Sequence, residues 1–163
     1  DLTPPDLFAA FEGSTVVGTL GLQFGTEQKP LPFEQLFIFD SQSAPVRYNR
    51  EQTVYYSRWN SSRPSIGLAL WLAATKYAIE KGMIFSSATG KTVMREYYYS
   101  SFQCEWFPIH GAKINTDKVG ETEKGYFFSD EPPLPWLGIL TDQIAYLPAI
   151  IEKLQEKIVI IFD

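Results

Sequence analysis

The sequence has little positive charge. Its 14 lysines and arginines are outnumbered by 19 aspartates and glutamates, which gives a formal net charge of -5 and a pI near 4.9. Proteins that bind nucleic acid without sequence preference neutralise phosphates with an excess of lysine and arginine. The composition therefore argues against a general nucleic-acid binder.

Cysteine and histidine are almost absent, with one residue of each kind, Cys104 and His110. A single cysteine excludes an internal disulfide framework and a multi-cysteine zinc site, so no metal cofactor is expected. The low cysteine content agrees with a reducing compartment, and we expect a cytoplasmic protein. A lone thiol or imidazole with no evident partner is also a weak candidate for catalysis.

Long apolar runs are missing as well. The longest uninterrupted one, residues 66–74, is far shorter than the roughly 20 residues that cross a bilayer, so no membrane span is expected. The length of 163 residues suits one domain, which we place at residues 1–163. The chain begins at Asp1 rather than at a methionine, so an N-terminal segment of the domain could be missing.

Aromatic residues are abundant, with twelve Phe, nine Tyr and four Trp. So much flat apolar surface predicts a thick core and an apolar groove. Residues 7–12 and 15–24 are strand-like runs separated by Gly13 and Ser14, which predicts a hairpin. Gly18 and Gly21 inside the second strand indicate a bulge or the close approach of another backbone.

The middle of the chain alternates strand and helix. Residues 53–59 have strand composition, and the following helix is apolar on most sides, begins near Pro64 with Ser62 or Ser65 as cap, and stops at Lys81-Gly82. A strand over residues 83–88, a turn at Thr89-Gly90 and a helix over residues 91–101 come next. This order predicts parallel pairing with right-handed crossovers in a mixed α/β domain.

The last third is less regular in composition. We expect strands at residues 107–114 and 125–128 around a polar loop, and irregular structure in the proline-rich residues 130–135. Residues 142–157 have a helical pattern that Pro148 interrupts. Residues 158–162 (IVIIF) have the composition of a buried strand.

Four short pieces, in this order, resemble the GNAT acyltransferase superfamily. They are residues 15–22 (TVVGTLGL), 30–37 (PLPFEQLF), 53–59 (TVYYSRW) and 93–102 (VMREYYYSSF). Within that superfamily the chain most resembles the branch of long-chain N-acyl amino acid synthases and acyl-homoserine-lactone synthases, over roughly Asp6 to Gly111. The resemblance implies a GNAT-like fold, in which a central mixed sheet with splayed parallel strands is flanked by helices.

The same resemblance implies the reaction. A medium or long acyl chain would move from an acyl-carrier-protein phosphopantetheine or acyl-CoA thioester to the amine of an amino acid or related small molecule. Residues 63–69 (RPSIGLA) only approximate the usual pyrophosphate loop, because Arg63 is one residue too far from Gly67. Tyr55 stands where lactone synthases have an acidic residue, which argues against S-adenosylmethionine as the acceptor.

The resemblance also implies site residues. The backbone around Tyr56, Ser57 and Arg58 would contact the thioester and the oxyanion, and Tyr97 would protonate the leaving thiolate. Arg58 and Glu51 complete the expected catalytic set. The base could be Glu12, Glu34 or Glu51, and the sequence does not choose among them. The full set of expected donor-binding residues is Tyr56, Ser57, Arg58, Trp59, Arg63, Gly67, Ala69 and Arg95.

A local excess of arginine supports an anionic donor. Four arginines fall within seventeen residues that hold a single acid, Glu51; they are Arg47, Arg50, Arg58 and Arg63. They could meet the phosphate of a pantetheine arm or the acidic face of a carrier protein, or they could simply be solvated surface. Two other functions stay open, an acetyl-CoA-dependent N-acetyltransferase and a non-catalytic module that binds an acyl chain or a protein.

Overall fold

A six-stranded mixed sheet forms the centre of the computed structural model, which describes residues 5–94, 96, 105–145, 149 and 152. The strands are β1 (Asp6–Glu12), β2 (Thr15–Phe24), β4 (Thr53–Ser61), β5 (Phe85–Gly90), β6 (Phe107–Pro108) and β8 (Leu134–Ile139), in the spatial order β1-β2-β4-β5-β8-β6. A small second sheet pairs β3 (Phe37–Ile38) with β7 (Lys113–Ile114). The helices are α1 (Pro32–Leu36), α2 (Pro64–Glu80), α3 (Lys124–Phe127) and α4 (Leu140–Ile144).

The predicted hairpin is confirmed, with β1 antiparallel to β2 and Gly13 in the left-handed region at φ 60°. A close approach also occurs at Gly18, but it is made mainly by side chains of α2 rather than by another backbone. A Cβ on Gly18 would lie 2.8 Å from Ile66 Cγ2 and 2.9 Å from Leu70 Cδ1 of α2. The strand therefore lacks a side chain at the point where the helix crosses it.

Helix α2 covers one face of the sheet. Pro64 occupies its first turn, as predicted, but the residue that caps it is Arg63, and its side chain makes no capping hydrogen bond. Neither Ser62 nor Ser65 is the cap, since the helix begins at Pro64 directly after Arg63. Buried residues occur on nearly every side of the helix, and Trp71 is 1% exposed, as the apolar sequence predicts.

The parallel pairing of β4 and β5 is confirmed. Strand β5 begins at Phe85, two residues later than expected, and runs through Thr89 and Gly90, which the sequence placed in a turn. Of the helix expected at residues 91–101, residues 92–94 are helical and most of the rest lies outside the described residues. The predicted strand at residues 158–162 and most of the helix at residues 142–157 also lie outside them.

The prediction for residues 130–135 is wrong in part, because β8 begins at Leu134 and contains Pro135. Leu140 N donates to Ile84 O, so Leu140 and every second residue before it in β8 are the positions that hydrogen-bond to β5. Pro135 lies between these positions, and its nitrogen points away from β5. On its other side the pairing with β6 ends at Trp136, and Pro135 O accepts one further hydrogen bond, from Ile109 N at 2.9 Å. The missing N–H of Pro135 therefore costs only the return bond at the end of this short ladder.

The strand predicted at residues 107–114 is correct only at its two ends, and the strand predicted at residues 125–128 is wrong. The first is divided by a turn with Gly111 at φ 80°, so that β6 joins the large sheet and β7 the small one. The second is helix α3. It follows a 3-10 turn, Glu121–Glu123, in which Gly120 N donates to Glu123 Oε2, and this turn directs the chain into a helix.

Two apolar clusters lie on opposite faces of the large sheet. The α2 side holds Val54, Tyr56, Trp106 and Trp136 together with the helix. The other side holds Tyr55, Leu137 and Phe127 with α1 and its neighbours. Adjacent residues of β4 thus point to different faces, as the period of a strand requires.

Candidate active site

The two parallel strands separate after a short paired stretch. Strands β4 and β5 pair only from Thr53 with Phe85 to Tyr55 with Ser87. Beyond that point β4 continues to Ser61 along β2, and β5 continues to Gly90 along β8. The splay predicted from the sequence is thus present, and it opens a gap in the middle of the sheet.

A pocket of about 500 Å³ occupies this gap, and we call it the splay pocket. Its volume falls within the range typical of small-molecule sites. It is lined by the ends of both strands and by segments that pack beside them: Trp59, Asn60, Ser61, Ala88, Thr89, Gly90, Lys91, Val93, Met94, Trp106, Tyr126 and Trp136. Of the donor-binding residues expected from the sequence, Trp59 is among them.

Strand β4 has a bulge at the mouth of the gap. Thr19 pairs with Asn60 and Gly21 pairs with Ser57, so Arg58 and Trp59 together lie opposite a single residue of β2. Arg58 is the one non-glycine residue with positive φ in the described part of the chain, at 51°. Thr19 Oγ1 donates to Arg58 O at 3.1 Å, which helps to hold the bulge. The bulge turns backbone groups of residues 58 and 59 away from the regular ladder, beside the pocket.

On the α2 face the pocket is apolar. Trp106 and Trp136 are 4% and 5% exposed, and Trp136 Nε1 donates to Gly90 O at 2.8 Å. Trp59 Nε1 donates to Gly67 O at 3.2 Å, which fixes its indole against the start of α2. Ala88 pairs with Trp136 and contributes only a methyl group. This side of the pocket suits an alkyl chain.

On the opposite face the pocket is more polar. Tyr55 OH donates to Thr89 Oγ1 at 3.0 Å, and burial raises the pKa of Tyr55 to about 12. Burial also raises the pKa of Tyr126. Lys91 Nζ lies 5.5 Å from the centroid of the Tyr126 ring. Both tyrosines are therefore neutral hydrogen-bonding groups at ordinary pH.

Tyr56 and Ser57 lie at the base of the splay. The Tyr56 side chain is buried beneath α2, with its hydroxyl 2.7 Å from Thr75 Oγ1. Ser57 is half-buried and its hydroxyl donates to Gly21 O at 3.4 Å. Both side chains are occupied within the fold, so contact with a ligand would have to come from their backbone.

The start of α2 holds three further predicted residues. Arg63 Nη2 lies 3.2 Å from Glu12 Oε1, and both side chains are largely exposed. A Cβ on Gly67 would lie 2.8 Å from Ser61 Oγ, so this glycine allows the helix to approach the end of β4. Pro64 has no N–H, and Ile66 N and Gly67 N both donate to Arg63 O, which leaves few N–H groups for a pyrophosphate. Ala69 is buried in the core under the helix.

Glu51 lies far from the splay pocket. It is exposed in the 3-10 turn Arg50–Gln52 before β4, and six residues of extended strand, roughly 20 Å, separate Thr53 from Trp59. Arg47 is exposed nearby. The four arginines therefore do not form one cluster, because they lie at both ends of β4.

Arg50 and Glu34 form a separate network under α1. Arg50 Nε lies 2.9 Å from Glu34 Oε2, and Nη2 donates to Glu34 Oε1 at 3.2 Å. Tyr48 OH donates to Glu34 Oε1 at 2.9 Å, and Leu31 N donates to Oε2 at 2.7 Å. Burial, with the nearby Glu34 carboxylate, raises the pKa of Tyr48. Both Glu34 carboxylate oxygens accept hydrogen bonds from within the fold, so this carboxylate has a structural role rather than one in proton transfer.

Arg95, Tyr97 and Cys104 lie outside the described residues. The sequence reasoning did not find the pocket residues Thr89, Lys91, Trp106, Tyr126 and Trp136. Tryptophan is rare enough that Trp106 and Trp136 could have been proposed as groove residues, but nothing in the sequence indicates that both pack beside β5. In the described ranges no helix is long and apolar enough to cross a membrane, and no three metal-ligating side chains cluster.

Solved structures with the same fold include acyl-homoserine lactone synthases and an N-acyl amino acid synthase. The CoA-dependent acyl-homoserine lactone synthase BjaI, solved with SAM and isopentyl-CoA, is 17% identical with a TM-score of 0.64, over 96% of this chain and 67% of BjaI. The CoA-dependent acyl-homoserine lactone synthase MesI is 13% identical with a TM-score of 0.56, over 95% of this chain and 71% of MesI.

A third structure is FeeM, an N-acyl amino acid synthase from uncultured soil microbes. It is 10% identical with a TM-score of 0.58, over 88% of this chain and 77% of FeeM. No known protein family matches the chain by sequence, and no curated protein does. The predicted fold class is confirmed: the chain has the GNAT-like acyltransferase fold of these synthases.

Proposed function

We propose that the protein is an N-acyltransferase. It moves a medium or long acyl chain from a thioester to the amine of an amino acid or a related small molecule. The observation that carries this proposal is the splay pocket, an apolar space lined by three tryptophans beside the bulge of β4. The fold shared with acyl-homoserine lactone synthases and an N-acyl amino acid synthase supports it.

The donor is an acyl thioester of a phosphopantetheine arm, carried by CoA or by an acyl carrier protein. The arm enters along the gap between β4 and β5, and the acyl chain lies among Trp59, Trp106 and Trp136. BjaI was solved with isopentyl-CoA, which supports a thioester donor for this fold. Few N–H groups are available at the start of α2, which favours a donor that depends little on a pyrophosphate.

The reaction is aminolysis. The neutral amine attacks the thioester carbonyl carbon, a C–N bond forms, and the carbonyl oxygen becomes an oxyanion. The C–S bond then breaks, the thiol leaves as a thiolate, and the proton lost by the amine balances the one that the thiolate gains. Backbone N–H groups at Arg58 and Trp59 would stabilise the oxyanion, because preorganised donors are effective where charge develops.

The proton-transfer groups are proposed from the family resemblance. Tyr97 is the proposed acid for the leaving thiolate, and Arg95 is a proposed donor-binding residue. The position of Glu51, roughly 20 Å along β4, gives it no support as the base. Solvent reached through the open mouth of the pocket can accept the proton of the amine.

The test is thiol release from a panel of acyl thioesters, on CoA and on carrier protein, with pooled amino acids and mass spectrometry of the products. We expect release with a medium or long donor and a matching N-acyl amino acid mass. Arg58→Gly should keep this activity because glycine adopts positive φ freely, whereas Arg58→Val should lose it with the bulge. Equal loss in both variants would instead indicate a role for the arginine side chain.

Other outcomes would replace the proposal. Release with acetyl-CoA and no gain with longer chains would identify a small-acyl N-acetyltransferase. Folded protein that binds acyl thioesters but never releases thiol would identify a binding module.

A further inference from the structure

Lys91 is the one charged side chain among the described residues that line the splay pocket. It follows directly after β5 and is half-buried, with Nζ 5.5 Å from the centroid of the Tyr126 ring. None of the salt bridges in the described part of the chain involves it. A protein with a net charge of -5 thus keeps a cation in a pocket whose other described lining residues are all uncharged.

The side of the sheet on which this cation lies is informative. Thr89 accepts a hydrogen bond from Tyr55, and the Tyr126 ring packs edge-on against the Phe127 ring with 5.5 Å between centroids, so both belong to the face opposite α2. The Lys91 ammonium lies against the Tyr126 ring on that same face. The tryptophan-lined side of the pocket and helix α2 are on the other face.

We propose that Lys91 binds the carboxylate of the acceptor, with Thr89 and Tyr126 beside it, and so selects amines that carry an acid group. This inference rests on the proposed function for the identity of the acceptor. It adds the recognised group and the residue that recognises it. Lys91 is thereby a specificity-determining residue, while the amine itself is left free to reach the thioester at the bulge.

The physical argument is the strength of a charge-assisted hydrogen bond away from bulk water. Such bonds contribute more than neutral ones, and the Tyr126 ring and the half-buried position reduce solvent screening of the lysine. The ring also holds the ammonium in place before any ligand arrives. An acceptor without a carboxylate would leave the cation facing only aromatic and hydroxyl groups.

The experiment measures binding of a product-like ligand, so it does not depend on turnover. N-decanoylglycine and its uncharged amide, N-decanoylglycinamide, are titrated against the full chain, and binding is read from the fluorescence of the pocket tryptophans. The variants are Lys91→Met, which keeps the apolar stem, Lys91→Arg, which keeps the charge, and Lys113→Met, an exposed lysine of β7 as the matched control. A parallel titration uses 4′-phosphopantetheine.

We expect the wild type and Lys113→Met to bind the acid roughly tenfold or more tightly than the amide. Lys91→Met should remove this preference and Lys91→Arg should largely keep it. Equal binding of acid and amide, a preference that survives in Lys91→Met, or binding of neither ligand would overturn the proposal. The proposal would also be overturned if Lys91→Met weakened the binding of 4′-phosphopantetheine alone, because Lys91 would then bind the donor.

The same data separate this inference from the proposed function. If the thiol-release panel is silent but the acid preference depends on Lys91, the anion site stands and the catalytic proposal falls. If acyl transfer occurs without any preference for acidic acceptors, the catalytic proposal stands and the anion site falls.

Discussion

Ala88 lines the apolar side of the splay pocket, and the proposed function predicts that enlarging it shortens the preferred acyl chain. Its methyl group faces the pocket from β5, opposite Trp136 in register. Ala88→Leu adds three carbon atoms at this position. If they displace about three methylenes of the donor, the loss is about 0.8 kcal/mol for each, or about 2.4 kcal/mol in all.

That free energy corresponds to a roughly sixtyfold loss in kcat/KM for a long donor, because binding of the remote chain contributes to transition-state stabilisation. Donors shorter by about three carbons or more should be used as well as by the wild type. The assay compares kcat/KM over a series of saturated acyl thioesters with one acceptor. The preferred length should move down by about three carbons.

The matched control is Ala9→Leu, an exposed alanine on the edge strand β1, which should leave the length profile unchanged. Overpacking can cost about 1–3 kcal/mol, so the folded fraction of each variant is checked by thermal melting. An equal reduction at every chain length in folded Ala88→Leu, or no reduction at any length, would refute an acyl chain at this position.

Three further predictions concern stability. Glu34→Gln should lower the free energy of unfolding in urea by about 2–4 kcal/mol, because it weakens the contacts of this largely buried carboxylate with Arg50 and Tyr48. The control Glu12→Gln, at an exposed carboxylate, should lower it by less than about 1 kcal/mol. Equal effects would contradict this explanation. Because burial raises the pKa of Tyr55 to about 12, the neutral phenol stabilises the fold fully below pH 10, and about 2 kcal/mol of this is lost as the pH rises toward 12. The free energy of unfolding of Tyr55→Phe should therefore fall less steeply with pH above 10 than that of the wild type. An equal fall in both proteins would show that burial does not hold the phenol neutral. Gly18→Ala should cost about 1–3 kcal/mol, since its Cβ would contact α2, and an unchanged urea midpoint would show that the helix can retreat.

The order of elements in the first half of the chain could be predicted because it depends on local pattern. Alternation over β2, the apolar composition of α2 and glycine at the hairpin turn each identify a structure within a few residues of sequence. The glycines of β2 indicated a close approach at Gly18, although the groups that approach are side chains of α2. The second half was predicted less well, because Pro135 in β8 and helix α3 depend on neighbours distant in sequence. Pro135 is tolerated because its nitrogen faces away from β5 and lies at the end of the β6 ladder, where its carbonyl accepts from Ile109 N.

For the site, the sequence indicated the backbone around Arg58 in β4 as a contact for the thioester, through the family resemblance, and an apolar groove supplied by aromatic residues. The tertiary structure decided which residues meet there. Trp59, Lys91 and Trp136 come from three segments of the chain and share one pocket only because β4 and β5 stop pairing after Tyr55. The structure also places Glu51 far from that pocket, because each residue of an extended strand adds about 3.3 Å to the distance between them. Periodicity specifies the face on which a side chain lies, whereas strand pairing, which acts across tens of residues, determines its neighbours.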